Sequence, residues 1–307
     1  MDFPQIVKES KAVQSEDFID ATKEVVQILA NAEGSSENIT VTDKLVKLKP
    51  VGEALVIGDL HGDLESLSII FEKSSFLIRM SQSKEATLVF LGDYGDRGAQ
   101  SPDLYYVVFS LKLAFPNQVV LLRGNHEGPT DLLASPHDLP IQLEHRFKEK
   151  WVAAYAQVRE LFSYLYNAVY VEERYLMVHG GVPARIRNLE EIAQADKSHP
   201  DKTTLEELLW NDPDEQVTGV FSSPRGAGNL FGETVTKEIL QKLNAKILIR
   251  GHEPTRDGFK INHDGKVLTL FSRKGQPYFN TYGAYLDLPL AEKFENANLL
   301  LPYIHKF

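Results

Sequence analysis

Five short apolar runs in this chain each end in an abrupt cluster of Gly, Asp, His, Asn or Arg, and that recurrence constrains the fold more than any other feature. Ala54–Ile57 runs into Gly58-Asp59-Leu60-His61-Gly62-Asp63, and Thr87–Leu91 into Gly92-Asp93-Tyr94-Gly95-Asp96-Arg97-Gly98. Gln118–Leu122 leads to Arg123-Gly124-Asn125-His126-Glu127, Tyr175–Val178 to His179-Gly180-Gly181, and Lys246–Ile249 to Arg250-Gly251-His252-Glu253. One such cluster is an ordinary glycine-rich turn with a polar cap. Five form a pattern, because strand ends on one side of an α/β sheet converge on a crevice where ligands bind.

The runs, with Val267–Phe271, read as strands buried on both faces, since nothing polar interrupts them. Helical spacing occupies the intervals Leu64–Phe71, Leu104–Phe115, Leu143–Phe162, Leu205–Trp210 and Glu233–Leu243, which predicts an α/β domain. Residues 5–31 read as one or two helices and Gly34–Asn38 as a turn. Gly128–Pro140 holds three prolines and no helix signal; it reads as a loop near the site that sets substrate preference. Nothing interrupts Ala54–Leu288, so the expected organisation is an N-terminal helical segment, 1–52, packed on a catalytic domain, 53–307.

Composition narrows the chemistry. The chain has no cysteine, so disulfides are excluded and any metal must be held by His, Asp, Glu, Asn or backbone oxygen, a donor set suited to manganese, iron or zinc. Lys and Arg number 33 against 43 Asp and Glu, a formal charge of −10, which disfavours a nucleic-acid or anionic-membrane partner. No stretch reaches the roughly 18 apolar residues of a membrane-spanning helix. The N-terminus has neither the basic start nor the apolar stretch of a secretory signal. A cytoplasmic enzyme is expected.

Asp59, His61, Asp93, Asn125, His179 and His252 supply carboxylate, amide and imidazole donors from the five strand ends. Six residues exceed what one catalytically open ion takes from protein, but with a bridging carboxylate they serve two. Two Asp charges against two divalent ions leave a local surplus near +2, enough to attract a phosphate dianion against the chain's overall field and to acidify a bound water.

At this level of detail the sequence resembles the phosphoprotein phosphatases, a branch of the calcineurin-like metallophosphoesterases. The motifs GDxHG, GDxxDRG and GNHE stand here as GDLHG, GDYGDRG and GNHE in the same order, followed by HGG at 179–181, LWNDP at 209–213 and His252. The likeness spans about residues 53–288. It implies a central β-sandwich flanked by helices and attack on phosphoserine or phosphothreonine by hydroxide bound to two metal ions, manganese first among them. Asp59 and His61 would bind the first ion, Asp93 would bridge, and Asn125, His179 and His252 would complete the second. His126 would be the general acid, paired with Asp96, and Arg97 and Arg225 would hold the phosphate. An arginine fork makes two parallel hydrogen bonds to phosphate, as lysine cannot.

Departures are also visible. Gly95 stands where the family has valine, Asp63 where it has glutamine, and Arg-Gly-His-Glu where it has Arg-Ala-His-Gln; Asp63 and Glu253 are expected to add negative charge near the metals. Ser272–Tyr278 lacks the family's Ala-Pro-Asn-Tyr run, so inhibitor sensitivity is not implied. Trp210 reads as core, and His137, His145, His199 and His263 as loop or surface residues. The expected substrate is a phosphoprotein. Other readings on the same scaffold are a small-molecule phosphoesterase, such as a dinucleoside polyphosphate hydrolase, and a non-catalytic binding protein; no regulatory subunit is legible.

Overall fold

The structure is a computed structural model that describes residues 2–307. Its core is built from two sheets. The smaller has five strands in the order Ile304–Lys306, Ala284–Pro289, Glu53–Ile57, Ala86–Phe90, Val119–Leu121, and its last three are parallel. The larger has eight, in the order Gly34–Ser36, Ile39–Thr42, Leu45–Leu48, Ala168–Val171, Tyr175–Val178, Ile247–Arg250, Val267–Leu270, Phe259–Asn262.

Side-chain alternation places the larger sheet between two cores. Tyr175, Met177, Ile247, Ile249, Leu268 and Leu270 share one cluster with Leu55, Ile57, Val89 and Leu286 of the smaller sheet. Their neighbours Leu176, Val178, Leu248 and Val267 point the other way, against Ile192, Leu205, Leu208, Ile239 and Leu240 of the outer helices. This is the period-two geometry of a strand covered on both sides. The result is the expected β-sandwich flanked by helices. No helix among the described residues is long and apolar enough to cross a membrane.

Local structure departs from expectation in two places. The stretch 143–162 is two helices, Leu139–Phe147 and Trp151–Phe162, separated at Lys148 (φ 50°) and a short 3-10 turn. The apolar spacing runs on through the break, so periodicity alone does not register it. Residues 34–48 supply three strands; only Glu37 and Asn38 lie between the first two. These strands are rich in Ser, Thr and Lys because they form the sheet's partly solvated edge, where one face stays polar.

The helix Phe3–Ser10 meets the rest of the chain through Phe3, 4.8 Å from the Phe71 ring, and the helix Ser15–Ala30 through Phe18. Its ring is fully buried, 5.7 Å from Phe109 and 5.0 Å from Phe147. Phe18→Ala is expected to destabilise the whole protein by about 3–5 kcal/mol, the cost of deleting a buried ring with incomplete collapse. Urea denaturation followed by far-ultraviolet circular dichroism measures this; a loss near zero would mean that these helices are not part of the cooperative unit.

Candidate active site

The site assembles where the strands Glu53–Ile57, Ala86–Phe90, Val119–Leu121, Tyr175–Val178 and Ile247–Arg250 end. Five of its residues, His61, Asp93, Asp96, Arg97 and His252, have φ between 44° and 73°. This left-handed conformation costs a non-glycine residue about 1–2 kcal/mol, so the surroundings must hold it in place. Part of that hold is Glu127. Its buried carboxylate accepts from the backbone N–H of Asp93 (2.8 Å), Tyr94 (3.1 Å) and Gly124 (3.2 Å) and from the Tyr105 hydroxyl (2.8 Å). Two site-bearing loops are thereby fastened to one charge. Gly95 follows from the same arrangement, since a Cβ there would lie 2.8 Å from the Tyr105 ring. Gly124 is equally constrained: its Cβ would fall 2.1 Å from Asp93 Oδ1.

All six expected ligands meet, and they do so acceptor against acceptor. His61 Nδ1 donates to Gly95 O (2.9 Å) and His179 Nδ1 to Leu91 O (3.0 Å), which turns the Nε2 lone pair of each ring inward. His61 Nε2 then lies 3.4 Å from Asp93 Oδ2 and 3.8 Å from Asp59 Oδ2, and His179 Nε2 lies 3.4 Å from Asp93 Oδ1. The Asn125 side-chain oxygen is 3.0 and 3.1 Å from the two Asp93 oxygens, 3.1 Å from His179 Nε2 and 3.3 Å from His252 Nδ1. Turning that amide over would make hydrogen bonds of these contacts in the metal-free protein; a cation among the same atoms satisfies them as they stand. Asp59 Oδ2, fully buried, has no hydrogen-bond partner at all.

Electrostatics point the same way. Burial lifts the Asp59 carboxyl to about 7 and, with the Asp59 charge beside it, pushes Asp93 well above the carboxylate range. Burial holds His61, His179 and His252 well below the usual imidazole range, hence neutral and able to ligate. Two carboxylates, three neutral imidazoles and an amide oxygen make a donor set for divalent ions, which would restore the carboxylates to their charged form. Donor atoms of Asp93, His179 and His252 fall within 4.8 Å of one another, as do those of His61, Asp93 and His126. Asp93 belongs to both groups, the position a bridge requires.

His61, Asp93, Asn125 and His252 open into a cleft of about 770 Å³, lined also by Arg97, Arg225, Trp210, Tyr278 and the segment Asp131–Ser135. His126 Nδ1 is 2.6 Å from Asp96 Oδ2. Burial opposes ionisation of Asp96, but hydrogen bonds from His126 and His137 outweigh it and hold the carboxyl far below its ordinary range. Arg225 Nε donates to Asp212 Oδ2 (2.7 Å), and Asp212 Oδ1 accepts from the fully buried Arg250 (2.8 Å). Arg97 Nη2 donates to Ser135 O (2.9 Å).

Several expectations need correction. Asp63 caps the helix Leu64–Ser74, accepting from Ser66 N (3.0 Å) and Ser66 Oγ (2.6 Å), and Glu253 accepts from Arg250 Nη1 (2.5 Å). The Asp63 charge is thus engaged at a helix N-terminus and the Glu253 charge on a buried arginine. Trp210 lines the cleft edge-on to His252, with ring centroids 5.7 Å apart. Tyr278 reaches the site, 5.5 Å from the His61 ring, although the sequence around it departs from the family's. His263 is wholly buried on Thr236 Oγ1 (2.7 Å), and His199 holds Asp131 (2.8 Å). His137 lies in a loop, as expected, and contacts Asp96 (2.8 Å). No motif marks His137, His199 or His263, because their partners lie 27 to 68 residues away in sequence.

A sandwich with two clusters of candidate metal ligands at its strand ends fits the class of metal-dependent phosphoesterases. The chain belongs to the calcineurin-like phosphoesterase family, whose model matches residues 53–256, and within it to the serine/threonine-protein phosphatases. It is 30% identical to the serine/threonine-protein phosphatase 6 catalytic subunit of Caenorhabditis elegans over 88% of this chain and 80% of that one. It is 32% identical to a probable serine/threonine-protein phosphatase of Encephalitozoon cuniculi over 80% of this chain, and spans about half (52%) of that relative's length. A solved protein serine/threonine phosphatase from Saccharomyces cerevisiae superimposes with a TM-score of 0.78, 24% identity, and coverage of 96% of this chain and 90% of that one.

Two divalent ions should bind per chain, read by elemental analysis of reconstituted protein after removal of free metal. Each would raise stability by about 2.7 kcal/mol at a hundred-fold excess over its dissociation constant. Asp93→Asn should lose both ions and Asn125→Ala one. A fully active protein with a single ion would sink the paired-site reading.

Proposed function

We infer that this hydrolase is a protein serine/threonine phosphatase acting on phosphoserine and phosphothreonine. The observation that carries this reading is the convergence of six ligating side chains in a cleft that also presents an imidazole–carboxylate pair and two arginines. Asp59 and His61 would hold one ion, Asn125, His179 and His252 the other, with Asp93 between them. Manganese is the ion we assign, phosphoproteins the substrates and the cytoplasm the compartment. Two such ions would acidify the attacking water and neutralise charge on the phosphate.

The chain's own residues supply the rest. Asp212 occupies Arg225 Nε and leaves both Nη groups for phosphate oxygens; Arg250, immobilised by Asp212 and Glu253, keeps Asp212 in place. Arg97 spends one Nη on Ser135 O and keeps the other for the substrate. Asp96 accepts a hydrogen bond from His126 Nδ1–H, fixing the ring so that Nε2 is the atom left to protonate the departing serine or threonine oxygen.

Serine alkoxide is a poor leaving group, whereas nitrophenolate departs without a proton. His126→Asn should therefore lose about 10²–10⁴-fold in kcat on a phosphoserine peptide and far less on p-nitrophenyl phosphate. Its metal content should stay at two, which separates an acid from a ligand. Equal losses on both substrates with full metal would remove His126 from the acid role. Hydrolysis of dinucleoside polyphosphates faster than phosphoserine peptides would overturn the substrate assignment.

Arg225→Ala should weaken inhibition by inorganic phosphate about 10-fold, the worth of a charge-assisted hydrogen bond, with metal content unchanged. Unaltered inhibition and turnover would show that another group holds the phosphate.

A further inference from the structure

We propose that His137, held by Tyr155, is a positioning residue that fixes Asp96 and through it the ring of His126. This rests on His126 acting as the acid. Asp96 Oδ2 lies 2.6 Å from His126 Nδ1 and 2.8 Å from His137 Nδ1, so one carboxylate oxygen serves two imidazoles. His137 Nε2 lies 2.9 Å from the Tyr155 hydroxyl. The other carboxylate oxygen accepts from the backbone N–H of Asp138 (2.9 Å) and Leu139 (2.8 Å), at the N-terminus of the helix Leu139–Phe147.

The directions of these bonds follow from chemistry. An ionised carboxylate only accepts, so both imidazoles present Nδ1–H to Asp96. At Nε2 the Tyr155 hydroxyl can donate to a ring lone pair or accept from a ring N–H, so the contact holds in either state of the imidazole. Tyr155 thus anchors His137, His137 Nδ1–H reaches Asp96 Oδ2, and His126 Nδ1–H reaches the same oxygen. With both ring nitrogens engaged, His137 cannot flip without breaking two hydrogen bonds. With four donors on its two oxygens, Asp96 has its full complement and cannot rotate. It is 1% exposed, so little water can replace a lost donor.

The geometry matters because a displaced acid loses rate steeply: about 1 Å of misplacement can cost 10²-fold. His137 and Tyr155 come from different elements, the cleft-lining loop and the helix Trp151–Phe162. The loop around Leu132–Ser135 thus shapes the cleft and, a few residues on, aims the acid.

The test compares His137→Ala, His137→Asn and Tyr155→Phe with wild type and His126→Asn in manganese-loaded protein. Melting temperature and metal content are measured for each, and kcat and KM on a phosphoserine peptide and on p-nitrophenyl phosphate. His137→Ala should lose about 10-fold in kcat on the peptide, at the low end of what partners of this kind are worth around metal-bound histidines. It should lose under about three-fold on the nitrophenyl ester, with peptide KM unchanged. His137→Asn, whose amide N–H can stand where Nδ1–H stood, should recover most of the loss. Tyr155→Phe should show the same bias more weakly and serves if His137→Ala folds poorly. A bias in His126→Asn but none in either His137→Ala or Tyr155→Phe overturns this proposal alone. Equal losses on both substrates, or a change confined to KM, reduce His137 to a loop anchor and also overturn it. No bias in His126→Asn removes the acid itself, and the proposal with it.

Discussion

Packing acceptors against acceptors is the demand to which the rest of this structure answers. Asp59, Asp93, Asn125 and three inward-facing imidazoles place oxygens and nitrogen lone pairs 3.0–3.8 Å apart with scarcely a donor among them. In a buried, low-dielectric place such a group is repulsive unless cations join it. Ions bound among these acceptors would serve the stability of the pocket and its chemistry together. Two ring donors that could blunt the set are turned outward, His61 Nδ1–H onto Gly95 O and His179 Nδ1–H onto Leu91 O.

Holding that arrangement takes interactions with nothing to do with phosphate. Glu127, itself buried, gathers three backbone N–H groups and the Tyr105 hydroxyl, and so locks the Asp93 loop to the Asn125 loop. Asp59 Oδ1 accepts from His252 N (2.9 Å), fastening the first strand end to the last. These bonds offset the left-handed backbone of His61, Asp93 and His252, which turns short side chains towards one point. Gly251 completes the fit, because a Cβ there would sit 2.4 Å from Asp59 Oδ1. The sheets supply rigidity: strands buried on both faces leave their ends little freedom.

A second charge centre stands beside the first and is built oppositely. Around Asp59 and Asp93 donors are scarce, whereas Asp96 is surrounded by them. The carboxylates near the metals have raised pKa values and await cations, while Asp96 stays ionised without one. Asp96 lies three positions after Asp93, yet the first faces the cluster of acceptors and the second is held by two imidazoles. The difference comes from the helix N-terminus and the two imidazoles brought to Asp96 by residues 126 and 137–139.

The sequence alone determined the α/β class, the strand ends that carry the site and the six residues that meet there, because each rests on local pattern. Apolar runs mark buried strands, and glycines mark the tight turns that let short polar side chains converge. It also marked the pairing of His126 with Asp96, through motifs that keep their spacing. Only the tertiary structure decided what depends on partners distant in the chain. Lys148 breaks a helix that periodicity carries through, and residues 34–48 become strands because an open sheet edge receives them. Gly95 makes room for Tyr105, and His137, 41 residues from Asp96, reaches the carboxylate that pairs with His126. Spacing along a chain reports the period of an element, whereas contact between elements is set by how they pack, and no single sequence displays that packing.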